Sequence, residues 1–126
     1  MKHFRIDSFM RDSEHECFPR IDLYETENHL VFEIELPGID LKDVSVQVVE
    51  QVLIVEGKYS PAQRQMHEGA GTFLCMERHP RTFRRILNIP IAVEITKGSA
   101  FYKNGVITIQ FPKLKGKRIT IPIELK

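Results

Sequence analysis

Histidine, glutamate and cysteine stand side by side at His15-Glu16-Cys17, and all three residue types ligate metals. Zinc sites take their specificity from two half-sites at set spacing, and no second half follows, so the triplet reads as part of a solvated arm. Gly69-Ala70-Gly71 opens like a dinucleotide-binding fingerprint, but no third glycine, following helix or βαβ unit completes it, which leaves a loop. His29, His67 and His79 occur without a serine or cysteine nucleophile motif. Lys113, Lys115, Lys117 and Arg118 gather charge that phosphates attract, yet no aromatics are interleaved for base stacking, and the chain as a whole carries a net charge of only +1. These residues argue against an enzyme, a resident metal or cofactor, and a nucleic-acid partner.

The elements that would position a binding surface are strands. A chain of 126 residues with 42% hydrophobic side chains is about the size of one domain with one core. Leu30, Phe32, Ile34 and Leu36 alternate with Val31, Glu33 and Glu35, which places one apolar face inward until Pro37-Gly38 stops the strand. Val44, Val46 and Val48 alternate with Ser45 and Gln47, and a tight turn at Glu50-Gln51 leads into Val52–Val55, with Gly57 marking that strand's end. Residues 59–71 read as a long loop. Thr72–Glu77 and Phe83–Ile89 look extended, separated by Pro80 and closed by Pro90. Ser99–Lys103 and Val106–Phe111 flank Asn104-Gly105, the pair that most readily adopts the two positive φ angles of a type I′ turn. Many short strands without a sustained helical period point to an all-β sandwich or barrel. No run approaches the ~20 apolar residues of a membrane span. Two distant cysteines, Cys17 and Cys75, are too few for a secreted disulfide framework, so a reducing cytoplasm is the expected compartment.

Two features of this pattern bear on binding. Ile119, Ile121, Ile123 and Leu125 alternate with Thr120, Pro122 and Glu124 beyond the basic linker, and Pro122 cannot donate a ladder hydrogen bond. The segment therefore pairs only at a sheet edge, either as a latch on a neighbouring chain or as the last strand of its own domain. Arg84 and Arg85 lie on opposite faces of one strand, so one of them shares a face with apolar neighbours and requires a carboxylate or carbonyl partner there. An interface would supply one, or the arginine snorkels at the sheet rim with its head in water.

These residues carry a resemblance to the α-crystallin domain of small heat-shock proteins. Glu77-Arg78, Phe83, Arg85 and Ile89-Pro90 resemble the family's middle signature. Ala100, Asn104, Gly105, Val106 and Ile107 followed by Pro112-Lys113 resemble its Ala-x-x-x-Asn-Gly-Val-Leu motif, Leu36-Pro37-Gly38 its early strand end, and Ile121-Pro122-Ile123 its tail motif. The resemblance implies an immunoglobulin-like β-sandwich over residues 19–112, preceded by a short arm (1–18) and followed by a tail (113–126). It further implies homodimers and larger homo-oligomers that hold unfolded or partly unfolded proteins without ATP. By the same resemblance Arg85 lies at the dimer interface. Phe73, Cys75 and Glu77 belong to the strand exchanged onto a partner's first strand, which is represented by Arg20, Ile21 and Leu23. Ile119, Ile121 and Ile123 form the docking tail, with Val46, Val48, Ser99 and Phe101 as its groove. Pro80-Arg81 stands where the family has an aromatic residue and glycine, which alters the turn before Phe83.

Phe4, Phe9 and Met10 of the arm carry apolar side chains suited to client contact. Two other readings of the sandwich remain at this level: a binding module of the CS-domain co-chaperone type, and a structural coat or scaffold protein.

Overall fold

The computed structural model describes residues 17–60, 71–116 and 119–126. Seven strands form, β1 (Ile21–Glu25), β2 (His29–Glu35), β3 (Val44–Val49), β4 (Val52–Tyr59), β5 (Arg81–Asn88), β6 (Ser99–Lys103) and β7 (Val106–Pro112), with single 3-10 turns before β3 and β6. They make two antiparallel sheets, one ordered β1-β2-β7-β6 and the other β3-β4-β5. The architecture is an immunoglobulin-like sandwich, as the strand pattern and the family resemblance led one to expect.

Alternation in the sequence becomes the inner layer. Leu30, Phe32 and Ile34 of β2 and Ile107, Ile109 and Phe111 of β7 face Leu53 and Val55 of β4 and Phe83 and Leu87 of β5, all buried in one cluster. Phe32 and Phe111 meet edge to face, with centroids 6.3 Å apart. Val31, on the outer face of the central strand β2, is buried too, flanked in register by Tyr24 and Gln110.

Both tight turns form as anticipated. Asn104 and Gly105 take φ of 52° and 78°, and Glu50 takes 55° at the β3–β4 turn. The β6–β7 hairpin is tied to the end of β2, because the Leu36 amide donates to the Gly105 carbonyl and the Tyr102 hydroxyl donates to the Leu36 carbonyl, each at 2.8 Å.

Three sequence expectations are corrected. Gly57 does not end its strand; β4 continues to Tyr59, paired with Arg81. The glycine is there because a Cβ would run into the Asp43 carbonyl and lie 2.8 Å from the Phe83 ring. Thr72–Glu77 forms no strand, and neither does the tail from Ile119 to Leu125. In both segments β-prone residues lack a ladder partner among the described residues, and extended propensity without a ladder is not a strand. The client-arm residues Phe4, Phe9 and Met10, and the loop at 61–70, lie outside the described residues.

Candidate functional site

The two arginines separate as the pleat demands. Arg84 faces outward and pairs with Glu56 across the ladder at 3.3 Å. Arg85 lies on the inner face opposite Val55, half-buried, and its Nη1 donates to the Pro19 carbonyl at 2.7 Å. The partner that a guanidinium needs in this layer is thus in part a backbone carbonyl of the same chain, ahead of β1. Pro19 is itself fully buried, and Phe18 packs edge to face on Phe83 and Tyr59 at 5.5 and 5.9 Å. Arg85 therefore fastens the entry to β1 onto the second sheet.

Among the described residues, β1 and β6 are the outer strands of one sheet, and β3 and β5 of the other. On β1, Ile21 and Leu23 point inward, half-buried against the core, while Arg20 is exposed just ahead of the strand. Phe73, Cys75 and Glu77 are all exposed, in a stretch where every residue from Gly71 to Pro80 is exposed. The structure does not bring them onto the β1 edge of their own chain.

Ile121 and Ile123 are 79% and 98% exposed, and Ile119 is exposed as well. The tail leaves the domain beside residues 92–93, where Lys113 bridges Val93 and the Leu114 amide donates to the Ala92 carbonyl at 3.1 Å. Nothing among the described residues covers its isoleucines.

The anticipated groove residues divide between faces. Val46 and Val48 pair with the buried Val55 and Leu53, so they share the inner face of β3, yet Val46 remains 37% exposed. Ser99 and Phe101 pair with Gln110 and Thr108, whereas Ala100 and Tyr102 pair with the buried Ile109 and Ile107. Ser99 and Phe101 consequently face away from the interior. Ala100 and Tyr102 are the inward residues of β6, in place of the Ser99 and Phe101 that the resemblance had put in the groove. The signal was available: the two-residue Asn104-Gly105 turn fixes the register that puts Tyr102 opposite Ile107.

No group of three His, Cys, Asp or Glu side chains able to hold a metal occurs among the described residues. Nor is any helix among them long and apolar enough to cross a membrane. What the geometry presents is open strand edges, an exposed apolar tail and an inner-face valine left uncovered at a sheet edge.

A match to the model of the Hsp20/alpha crystallin family extends over residues 22–125. The chain belongs to this family. It is 35% identical over 97 residues to a probable 15 kDa heat shock protein of Leptospira interrogans, spanning 77% of this chain and 71% of that one. It is 34% identical over 109 residues to a 17.7 kDa class II heat shock protein of Arabidopsis thaliana, spanning 85% and 68%. Among solved structures, heat shock protein 16.0 of Schizosaccharomyces pombe superposes with a TM-score of 0.69 at 27% identity, covering 88% of this chain and all of that one. A small heat-shock protein of Xylella fastidiosa superposes with 0.64 at 29% identity, covering 83% and 96%. Members of the Hsp20/alpha crystallin family are ATP-independent chaperones, not enzymes, and membership gives this chain a chaperone role.

Proposed function

We propose that this chain is an ATP-independent holdase that captures partly unfolded polypeptides and keeps them from aggregating, and that it does so as a dimer able to assemble further. The observation that carries the reading is the exposure of Ile121 and Ile123 on a chain whose sheet edge leaves Val46 uncovered. Apolar strands and uncovered edges are completed by other chains, whether copies of the same protein or damaged ones. Family membership supports the same conclusion.

In this reading residues 72–77 of one protomer, with Phe73, Cys75 and Glu77, lie along the β1 edge of the other beside Arg20, Ile21 and Leu23. Arg85 holds that edge in place through Pro19 and so belongs to the dimer interface at one remove. Ile121 and Ile123 dock between β3 and β6 on Val46 and Val48, with Ala100 and Tyr102 as the inward β6 partners. Docked tails mask the surface, and heat or dilution unmasks it. Clients are unfolded or partly unfolded proteins, and the arm bearing Phe4, Phe9 and Met10 adds apolar contact. Cys17 and Cys75 are not disulfide-bonded, which suits a reducing cytoplasm.

The test mixes the protein with a thermolabile enzyme and follows light scattering on heating. Suppression at stoichiometric protein is expected without added ATP, and undiminished scattering would refute the holdase reading.

A further inference from the structure

The outer face of the β3-β4-β5 sheet is apolar at its centre. Val49 pairs with Val52 and Ile54 with Ile86, and the pleat turns all four away from the core, since Val48, Leu53 and Leu87 occupy the alternate, inward positions. Val49 and Ile86 are 54% and 55% exposed, and Val52 and Ile54 lie half-buried on the central strand. Gln47, Asn88 and the Glu56–Arg84 ion pair edge the cluster. A sheet face open to water ordinarily carries polar residues, as Glu33 and Glu35 of β2 and Thr108 and Gln110 of β7 do on the other sheet. Scattered surface aliphatics need no explanation, but four adjoining in register form a surface that calls for a cover. The cluster shares no residue with the β1 edge or with the proposed tail groove, which uses the opposite face of β3.

We propose that the occupant is the N-terminal arm of the same chain, with Phe9 and Met10 seated on Ile54 and Ile86, and Phe4 and Ile6 reaching Val49 and Val52. The arm enters the described structure at Cys17 and Phe18, and Phe18 is fixed at the start of β5, with the Arg81 guanidinium 4.0 Å from its ring centroid and Phe83 5.5 Å away. From there to the outer surface at Ile86 is about 17 Å along β5 and about 10 Å through the layer, roughly 27 Å in all. A chain extended at about 3.3–3.6 Å per residue covers about 26–29 Å between Phe18 and Met10, and about 46–50 Å between Phe18 and Phe4. Val49 and Val52 lie only about 8–12 Å beyond Ile86, well within the second span. Residues 61–70, which follow β4, carry Met66 as their one large apolar side chain and cannot cover four aliphatics. A second copy docking face to face would need about 800 Å2 from each partner, far more than four partly exposed side chains offer. The docking takes its physiological meaning from the holdase reading, in which a seated arm withholds Phe4, Phe9 and Met10 from clients until it is displaced, but the contact itself stands apart from that reading.

The test replaces Phe9 with the photo-cross-linker p-benzoylphenylalanine in the full chain and assembles it with an excess of isotopically heavy chain of unaltered sequence, so that a light product is a cross-link within one chain. Mass spectrometry after irradiation is expected to find light peptides containing Ile54 or Ile86. Ile86→Lys and Val49→Glu, both at exposed positions and checked for unchanged urea unfolding, are each expected to cut that product severalfold. Absence of a cross-link to this face, a cross-link mainly to heavy chain, or a yield indifferent to both substitutions would each overturn the proposal. The cross-link in a chain that fails to suppress aggregation leaves the docking standing and removes the holdase reading. Suppression by a chain that lacks the cross-link does the reverse.

Discussion

Arg85 and Pro19 are 66 residues apart in sequence and joined by a 2.7 Å hydrogen bond from the guanidinium to the proline carbonyl. Through it the second sheet holds the entry to β1, the strand that opens one edge of the first. Replacing Arg85 with methionine keeps most of its stem packed but leaves that carbonyl without its charged donor, a loss of about 1.5–3 kcal/mol. Urea unfolding at fixed protein concentration reads the loss, and hydrogen exchange at β1 amides is expected to accelerate more than at β4. Equal acceleration in both strands would mean that Arg85 does not act on the β1 edge.

Gly57 marks where β4 approaches the 3-10 turn before β3 too closely for any side chain. Gly57→Ala forces a methyl against the Asp43 carbonyl and the Phe83 ring. Overpacking of this kind costs roughly 1–3 kcal/mol, and backbone on one side of the contact puts the expected value in the upper part of that range. The urea midpoint should fall accordingly, with an unchanged slope.

Tyr102 closes the β6–β7 hairpin onto Leu36, so Tyr102→Phe removes one hydrogen bond of 2.8 Å while preserving the ring. A loss of about 1 kcal/mol is expected by thermal or urea unfolding. Because Tyr102 also faces the proposed tail groove, the same variant tests that placement: an altered assembly mass with little stability change would show that the hydroxyl takes part in docking, and an unchanged mass would leave docking to the ring.

Ile121→Ala with Ile123→Ala is expected to leave the stability of the sandwich within about 0.5 kcal/mol, since neither side chain is covered by its own chain. Mass in solution by light scattering should drop if the tails dock between protomers. Removing residues 119–126 should give the same result. An unchanged mass in both would show that the tail takes no part in assembly.

Tyr24 donates to Glu33 at 2.7 Å, and that hydrogen bond, followed by partial burial and the Glu33 and Asp22 charges, raises its pKa above the ordinary 10.0. A raised folded pKa means that this small contribution to stability is complete below about pH 10 and is lost as pH rises through the folded value. Phenolate absorbance during alkaline titration should show one tyrosine ionising late. Glu33→Gln should bring it back toward 10.0.

Much of the core was legible in the residues. Leu30, Phe32, Ile34 and Leu36 alternate strictly and are all buried, and Asn104-Gly105 took the turn its positive φ angles favour. The resemblance placed Ser99 and Phe101 in a groove, but only the pairing of Tyr102 with Ile107 shows which side of β6 faces inward.

Local chemistry, then, was enough to determine strands, turns and an all-β fold, since alternation with period two and the conformational habits of glycine, asparagine and proline act within a few residues. Tertiary structure decided which arginine turns inward, that Gly57 lies inside a strand, and that Thr72–Glu77 and the isoleucine tail remain unladdered. Those outcomes depend on what stands across a sheet or at its edge, and a ladder partner is a property of the assembled fold that no neighbouring residue encodes.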